Sequence, residues 1–198
     1  MDKKSSPIDR SAPKKRKKIT QSYLENAGAY YLERFSASIS QFRKVMERKI
    51  DLSCRDNQDQ TKESCLALLD IVVKKFENLG YLNDNNYGRI LVTSLRNKGV
   101  SHTRLLITLR HKGLSEDVIE QISPERDVEI DKQSALRWAK KKRLGPFALR
   151  IRENNLNRGL SSLARAGFEY DVSKWVMNMP LKEAENLLQN MDTILGEG

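Results

Sequence analysis

A glycine set just after a basic stretch, followed by one apolar residue and a short polar turn, recurs along this chain and narrows what it can fold into. "RNKGV" spans Arg96 to Val100, "RHKGL" spans Arg110 to Leu114, and a looser "ARAGF" spans Ala164 to Phe168. Glycine accepts the left-handed conformation just past a helix, and a cation in the last turn offsets the negative end of the dipole. These positions therefore read as helix stops. The competing idea, glycines that cradle a phosphate, fails on spacing: the sequence has no Walker A run and no Gly-x-Gly-x-x-Gly.

The segments between the stops carry helical periodicity. From about Thr61 to Leu79, Cys65, Leu68, Leu69, Val72, Val73, Phe76 and Leu79 follow the i, i+3, i+4, i+7 rule. Ser22 with Glu25, and Ser38 with Gln41, have capping-box spacing, while Ser101 and Ser115 can cap two short helices. Between Asp84 and Lys98 the expected buried face holds Tyr87, Ile90, Leu91 and Leu95. Before the third stop, Ala135, Trp138 and Ala139 line another. No strand-like alternation competes, so the fold class is all-α.

Sliding Gly113 onto Gly167 brings Leu106 onto Leu160, Leu109 onto Leu163, Leu114 onto Phe168, Asp117 onto Asp171 and Ile122 onto Val176. "SISQFRKVMERK" (Ser38 to Lys49) resembles "SHTRLLITLRHK" (Ser101 to Lys112) but lacks the glycine, and the polar "IDLSCRDNQDQ" follows it. The chain thus reads as an elongated tandem array of three-helix repeats, whose neighbours cover one another's apolar faces. The expected divisions are a disordered basic arm over 1–19, repeat 1 with its polar insertion over 20–80, repeat 2 over 81–124, repeat 3 over 125–180, and a helical tail over 181–198.

Charge points to the class of partner. The net charge is +10, with only 38% hydrophobic residues, and the first 20 residues alone carry eight Lys or Arg against two Asp. Such a surplus suits a polyanion, since Lys and Arg displace its condensed counterions. "KKRKK" (Lys14, Lys15, Arg16, Lys17, Lys18) reads as a phosphate-binding arm, a nuclear address in a eukaryotic cell, or a solvated tail. "RWAKKKRLGPFALRIRE" concentrates Arg137, Lys140, Lys141, Lys142, Arg143, Arg150 and Arg152, and Arg158 continues the run. Trp138 and Phe147 interleave with these cations. The cluster suits DNA phosphate or an acidic protein groove, and equally a solvated helix end. Arg104, Arg110 and Lys112, around the second stop, complete the set of candidate contacts.

Catalytic chemistry finds no footing. His102 and His111, nine residues apart on one helix, face different sides and cannot share a metal. No His-Glu-x-x-His, Cys-x-x-Cys or Gly-x-Ser-x-Gly occurs. Cys54 and Cys65 fit a reducing compartment and read as inert helix residues. No enzyme activity, catalytic residue, cofactor or metal is expected. With no apolar run of membrane-spanning length and no secretory signal pattern, the expected location is the cytoplasm.

The order of these features resembles the RecX family of bacterial recombination regulators. "GYLNDNNYGRILVTSLRNKGVSHTRLLITLRHKGLSEDVIEQ" (Gly80 to Gln121) is similar to the family's central repeat, and the flanking segments to its first and third, over about Ser22 to Asn178. Asn83 stands where the family usually has the first Asp of an Asp-Asp turn, while Asp84 keeps the second. The resemblance implies a monomer that binds the RecA recombinase in the groove of its filament on single-stranded DNA. It implies a block on filament extension or promotion of disassembly, and so restraint of ATP hydrolysis, strand exchange and the SOS response in DNA repair, with weaker direct contact to nucleic acid. Two other readings stay open: a general DNA-binding helical protein, in which short helix pairs imitate a helix-turn-helix, and a scaffold repeat protein.

Overall fold

The computed structural model describes residues 15–123, 126–149 and 154–196, with side chains as far as residue 190. Apart from one 3-10 turn, every regular element among them is an α-helix. In chain order these are α1 (Gln21–Leu32), α2 (Ile39–Asp56), α3 (Lys62–Asn78), α4 (Asp84–Asn97), α5 (His102–His111), α6 (Glu116–Ile122) and α7 (Val128–Lys142). The 3-10 turn Gly145–Phe147 precedes α8 (Asn155–Arg165), α9 (Tyr170–Asn178) and α10 (Leu181–Gly196). The chain is thus all-α, with three successive helical triplets and a further helix. Its described residues divide into two compact units, one holding 15–37 together with 41–82, the other 38–40 together with the described residues from 83 to 196.

In the first unit Leu24, Phe42, Met46, Ile50, Leu69 and Val72 are fully buried, and Phe42 meets Phe76 with ring centroids 5.7 Å apart. Gly28 lets these rings approach α1, because a Cβ there would lie 2.8 Å from both Phe42 and Phe76. Thr20, rather than Ser22, caps α1, its hydroxyl accepting from the Tyr23 N–H at 3.1 Å. Residues 15–19 also depart from the expectation of a disordered arm. They run against the α2–α3 connection, where Ile19 is 2% exposed and exchanges two hydrogen bonds with the Gln60 side chain, 2.8 and 2.7 Å. One apolar anchor and an acidic partner surface offset the ordering entropy that composition alone leaves uncovered. Lys14 lies outside the described residues.

The second unit has two apolar clusters. Val92, Leu105, Leu109, Leu114 and Ile119 form one, within α4–α6. Ala135, Leu136, Ala139, Leu163, Phe168, Val172 and Val176, joined by Ala184 and Leu188 of α10, belong to the other. On α4 the buried stripe runs through Gly88 and Val92, so Ile90 points outward and is 61% exposed, unlike its expected place in the core. The expected stops are present: Gly99, Gly113 and Gly167 have φ of +72°, +79° and +86°. In each case the next N–H reaches back to the third-last residue of the helix, Val100 to Leu95, Leu114 to Leu109 and Phe168 to Leu163. The α7 helix closes the same way without glycine, with Arg143 itself at φ 55° and ψ 50°.

A joint appears twice in this unit. The Ser101 hydroxyl, at the start of α5, donates to the carbonyl of Ala166 at the end of α8 (2.6 Å), and the His102 N–H donates to Asp131 of α7 (2.9 Å). At the start of α2, Ser38 likewise donates to the carbonyl of Lys112 at the end of α5, and the Ile39 N–H donates to Asp84 of α4 (2.8 Å). A helix start with orphan N–H groups is thus closed by a carboxylate from the opening turn of a later helix.

Candidate nucleic-acid interface

The α8 sequence "NLNRGLSSLAR" is sharply two-faced. Gly159 and Leu163 are buried against the core. Asn154, Arg158, Ser161, Ser162 and Arg165 recur at i, i+3, i+4 and i+7 spacing on the other side and are exposed or half-exposed. Arg158 and Arg165 stand two turns apart, about 10 Å along the axis. The short side chains between them leave the cations unscreened by bulk.

Three adjoining hollows lie along this face. One, of about 510 Å³, is lined by Lys142, Arg143, Leu144, Gly145, Ala148, Leu149, Asn155, Arg158 and Gly159. A second, of about 670 Å³, shares Leu144 and Arg158 with it and adds Asn154, Asn157, Ser161, Ser162 and Arg165. The third, of about 530 Å³, shares Ser162, Arg165 and Lys142, and reaches α5 through Ser101, Arg104 and Thr108 and α7 through Trp138. Common walls make them one continuous groove. Among the described residues five cations line it, and none of the described lining side chains is acidic. The field of these described side chains has one sign, which concentrates an anionic ligand.

Local geometry shapes the groove. Arg104 donates to the Arg165 carbonyl at 3.0 Å, anchoring its guanidinium over the end of α8. Lys142 Nζ sits 5.2 Å from the centre of the Trp138 ring, and Trp138 Nε1 is buried with no hydrogen-bond partner among the described residues. A cation over an aromatic ring beside further cations is the pairing that holds stacked bases and phosphates. Arg143 enters the lining because the chain turns left-handed there.

The groove gathers only part of the expected set: Arg104, Lys142, Arg143 and Arg158. Lys140 and Lys141 are exposed on α7 outside the lining, and Arg137 is half-buried and already engaged. Arg110 is held by Glu116 through two bonds of 2.8 and 2.9 Å, which lower the Glu116 carboxyl below its usual range. Lys112 contributes its carbonyl to the joint with Ser38. Lys15, Arg16, Lys17 and Lys18 lie in the first unit, where Arg16 pairs with Asp56 at 3.0 Å and Lys18 with Asp59. Arg150 and Arg152 fall outside the described residues. Arg165, Ser162 and the asparagines 154, 155 and 157 were not anticipated. Their signal was the polar period along "NNLNRGLSSLAR", visible only when the hydrophilic face is read as carefully as the apolar one.

Neither histidine lies in the groove; burial pushes the His102 imidazole pKa down, and His111 is exposed at the end of α5. No group of His, Cys, Asp and Glu able to hold a metal exists among the described residues, and none of their helices is long and apolar enough to cross a membrane.

No family model matches the chain. A regulatory protein RecX of Myxococcus xanthus is 37% identical over 169 residues, which cover 84% of this chain and 90% of that protein. A second regulatory protein RecX, from Amycolatopsis mediterranei, is 32% identical over 63% of this chain and 67% of its own. Among solved structures, RecX from Lactobacillus salivarius superposes with a TM-score of 0.57 at 20% identity, over 79% of this chain and 94% of that one. Another structure of a regulatory protein RecX gives a TM-score of 0.58 at 17% identity, over 80% and 72%. Those two likenesses establish the fold.

Proposed function

The chain belongs to the RecX family of regulatory proteins, and from that premise we propose that it binds RecA recombinase filaments on single-stranded DNA and restrains them. Family membership gives the class, a regulatory protein, and the groove along α8 gives the reading its chemistry. The observation that carries it is the run of Lys142, Arg143, Arg158, Arg165 and Arg104 with no carboxylate among the described lining residues. A RecA filament displays protein and polyanion together. A one-signed groove engages the DNA phosphate while the surrounding helices meet the recombinase. Filament extension, ATP hydrolysis, strand exchange and the SOS response in DNA repair would all fall as a consequence. The protein acts as a cytoplasmic monomer, needs no cofactor, and contacts nucleic acid directly but more weakly than it contacts the filament.

The test is a titration of RecA ATP hydrolysis on single-stranded DNA at fixed salt. Suppression at amounts well below one protein per RecA is the expected result. Suppression only at amounts that coat the DNA would replace this reading with general DNA binding, which the groove also favours. Absence of any effect, with no binding to filament or DNA, would leave a scaffold role.

A further inference from the structure

The polar insertion that sets the first helical triplet apart has an occupant. The α2–α3 connection and the last turn of α2 hold the basic segment 15–19 through backbone as well as charge. Ser53 donates its hydroxyl to the Lys17 carbonyl at 2.8 Å, Asn57 its amide to the Arg16 carbonyl at 3.1 Å, and Gln60 its amide to the Ile19 carbonyl at 2.7 Å. Asp56 and Asp59 take the Arg16 and Lys18 side chains. Immediately beside Ser53 stands Cys54, and its sulfur lies 4.0 Å from that of Cys65, at the start of α3. The two cysteines are the chain's whole complement, and they bracket the connection that holds the basic segment. Sequence spacing gave no sign of this, because eleven residues separate them across a turn.

The two thiols differ in a useful way. Cys54 is half-buried, whereas Cys65 is 1% exposed. Burial, then the neighbouring Cys54, raises the Cys65 thiol above its usual pKa, which favours its protonated form. A disulfide needs the sulfurs about 2.05 Å apart. The two sulfurs already stand within 4.0 Å of one another.

We propose that Cys54 and Cys65 are an oxidation site for low-molecular-weight disulfides, and that the bond formed between them fixes the basic segment 15–19 on the α2–α3 connection. The Cys54 thiolate attacks one sulfur of the small disulfide, forming a mixed disulfide and releasing one small thiolate. The Cys65 thiol then gives up its proton, attacks the Cys54 sulfur and displaces the second small thiolate. The protein loses two electrons and two protons, and the small disulfide gains them as two thiols. Closing the connection at both ends narrows the motions by which Asp56, Asn57, Asp59 and Gln60 release Arg16 to Ile19. Oxidation thereby withholds those cations from a polyanion, and reduction returns them.

The experiment uses the full chain and oxidised glutathione. Wild type should lose both free thiols and about 2 Da while remaining a monomer. Trypsin cleavage after Arg16, Lys17 and Lys18, followed by mass spectrometry, should slow by about tenfold, since cleavage tracks the open population. Cys54→Ser should show neither change. A protein that stays reduced, stops at a glutathione adduct or couples to a second chain would overturn the site. A disulfide that forms without slowing cleavage would overturn its link to the basic segment.

Discussion

Asp131 is the residue on which the second unit's joint most depends, and its removal has a calculable consequence. Its side chain is 5% exposed, accepts from the His102 N–H at 2.9 Å, and accepts from Arg126 Nε at 2.9 Å. Arg126 also pairs with Glu169, at the start of α9. Asp131→Ala leaves an orphan N–H at the first residue of α5, worth about 1 kcal/mol by analogy with lost caps. It also removes the innermost partner of Arg126. Breaking a fully buried pair costs about 3–5 kcal/mol. The Arg126 side chain is 26% exposed and keeps Glu169, so solvent and the second carboxylate hold this part to about 2 kcal/mol. The expected total is about 3 kcal/mol. Asp131→Asn keeps an oxygen for the His102 N–H and loses only the charge, so it should cost about half as much. Both tryptophans, Trp138 and Trp175, lie in the second unit. Urea unfolding followed by tryptophan fluorescence therefore reads this unit selectively. A loss below about 1 kcal/mol for the alanine variant, or equal losses for the two variants, would refute the account.

Asp84 makes the matching bond to Ile39 but has no arginine partner among the described residues, and burial raises its carboxyl pKa. A carboxyl raised on folding contributes stability that is present below its unfolded pKa and lost as pH rises through its folded one. Asp84→Asn should therefore be neutral to stabilising at pH 7, with an advantage that vanishes as acid protonates wild type; unfolding midpoints from pH 7 to 4 check this. Arg158→Glu and Arg165→Glu should leave stability within about 0.5 kcal/mol. Each should weaken binding to a single-stranded oligothymidylate and flatten its salt dependence, whereas Lys140→Glu, outside the groove lining, should do so less; equal effects would argue against the groove. Arg143→Gly should stabilise the second unit by about 1 kcal/mol, by relieving a left-handed non-glycine residue. It should lower the salt slope by about 0.7 through the lost cation, a divergence that fluorescence melts and binding isotherms can read separately.

The helical class and the three glycine stops were legible because each rests on local physics: periodicity, a cation in the last turn, and a residue tolerant of positive φ. The α3 stripe was readable for the same reason, though Leu79 sits 57% exposed beyond the end of its helix. Ile90 went wrong because Gly88 contributes to burial without contributing hydrophobicity. The joints escaped notice because Asp84 and Asp131 are separated by 47 residues, while the helix starts they close are separated by 63, so no single offset aligns them. Half of the groove was legible as a cation run. The α8 contribution was not, since its arginines are seven residues apart and gain meaning only from small polar neighbours on the same face.

The joints also give synthesis a direction. The start of α2 takes its closing groups from residues 45 and 74 positions further along, and the start of α5 from residues 29 and 65 further along. A chain emerging from the ribosome at about 5–20 residues per second must therefore hold each of these helix ends open for seconds before its closure exists. Such ends are exposed when the earlier helices are already long enough to form. Acceptors placed downstream make later helices complete the starts of α2 and α5, so an interrupted chain is marked by unsealed helix starts.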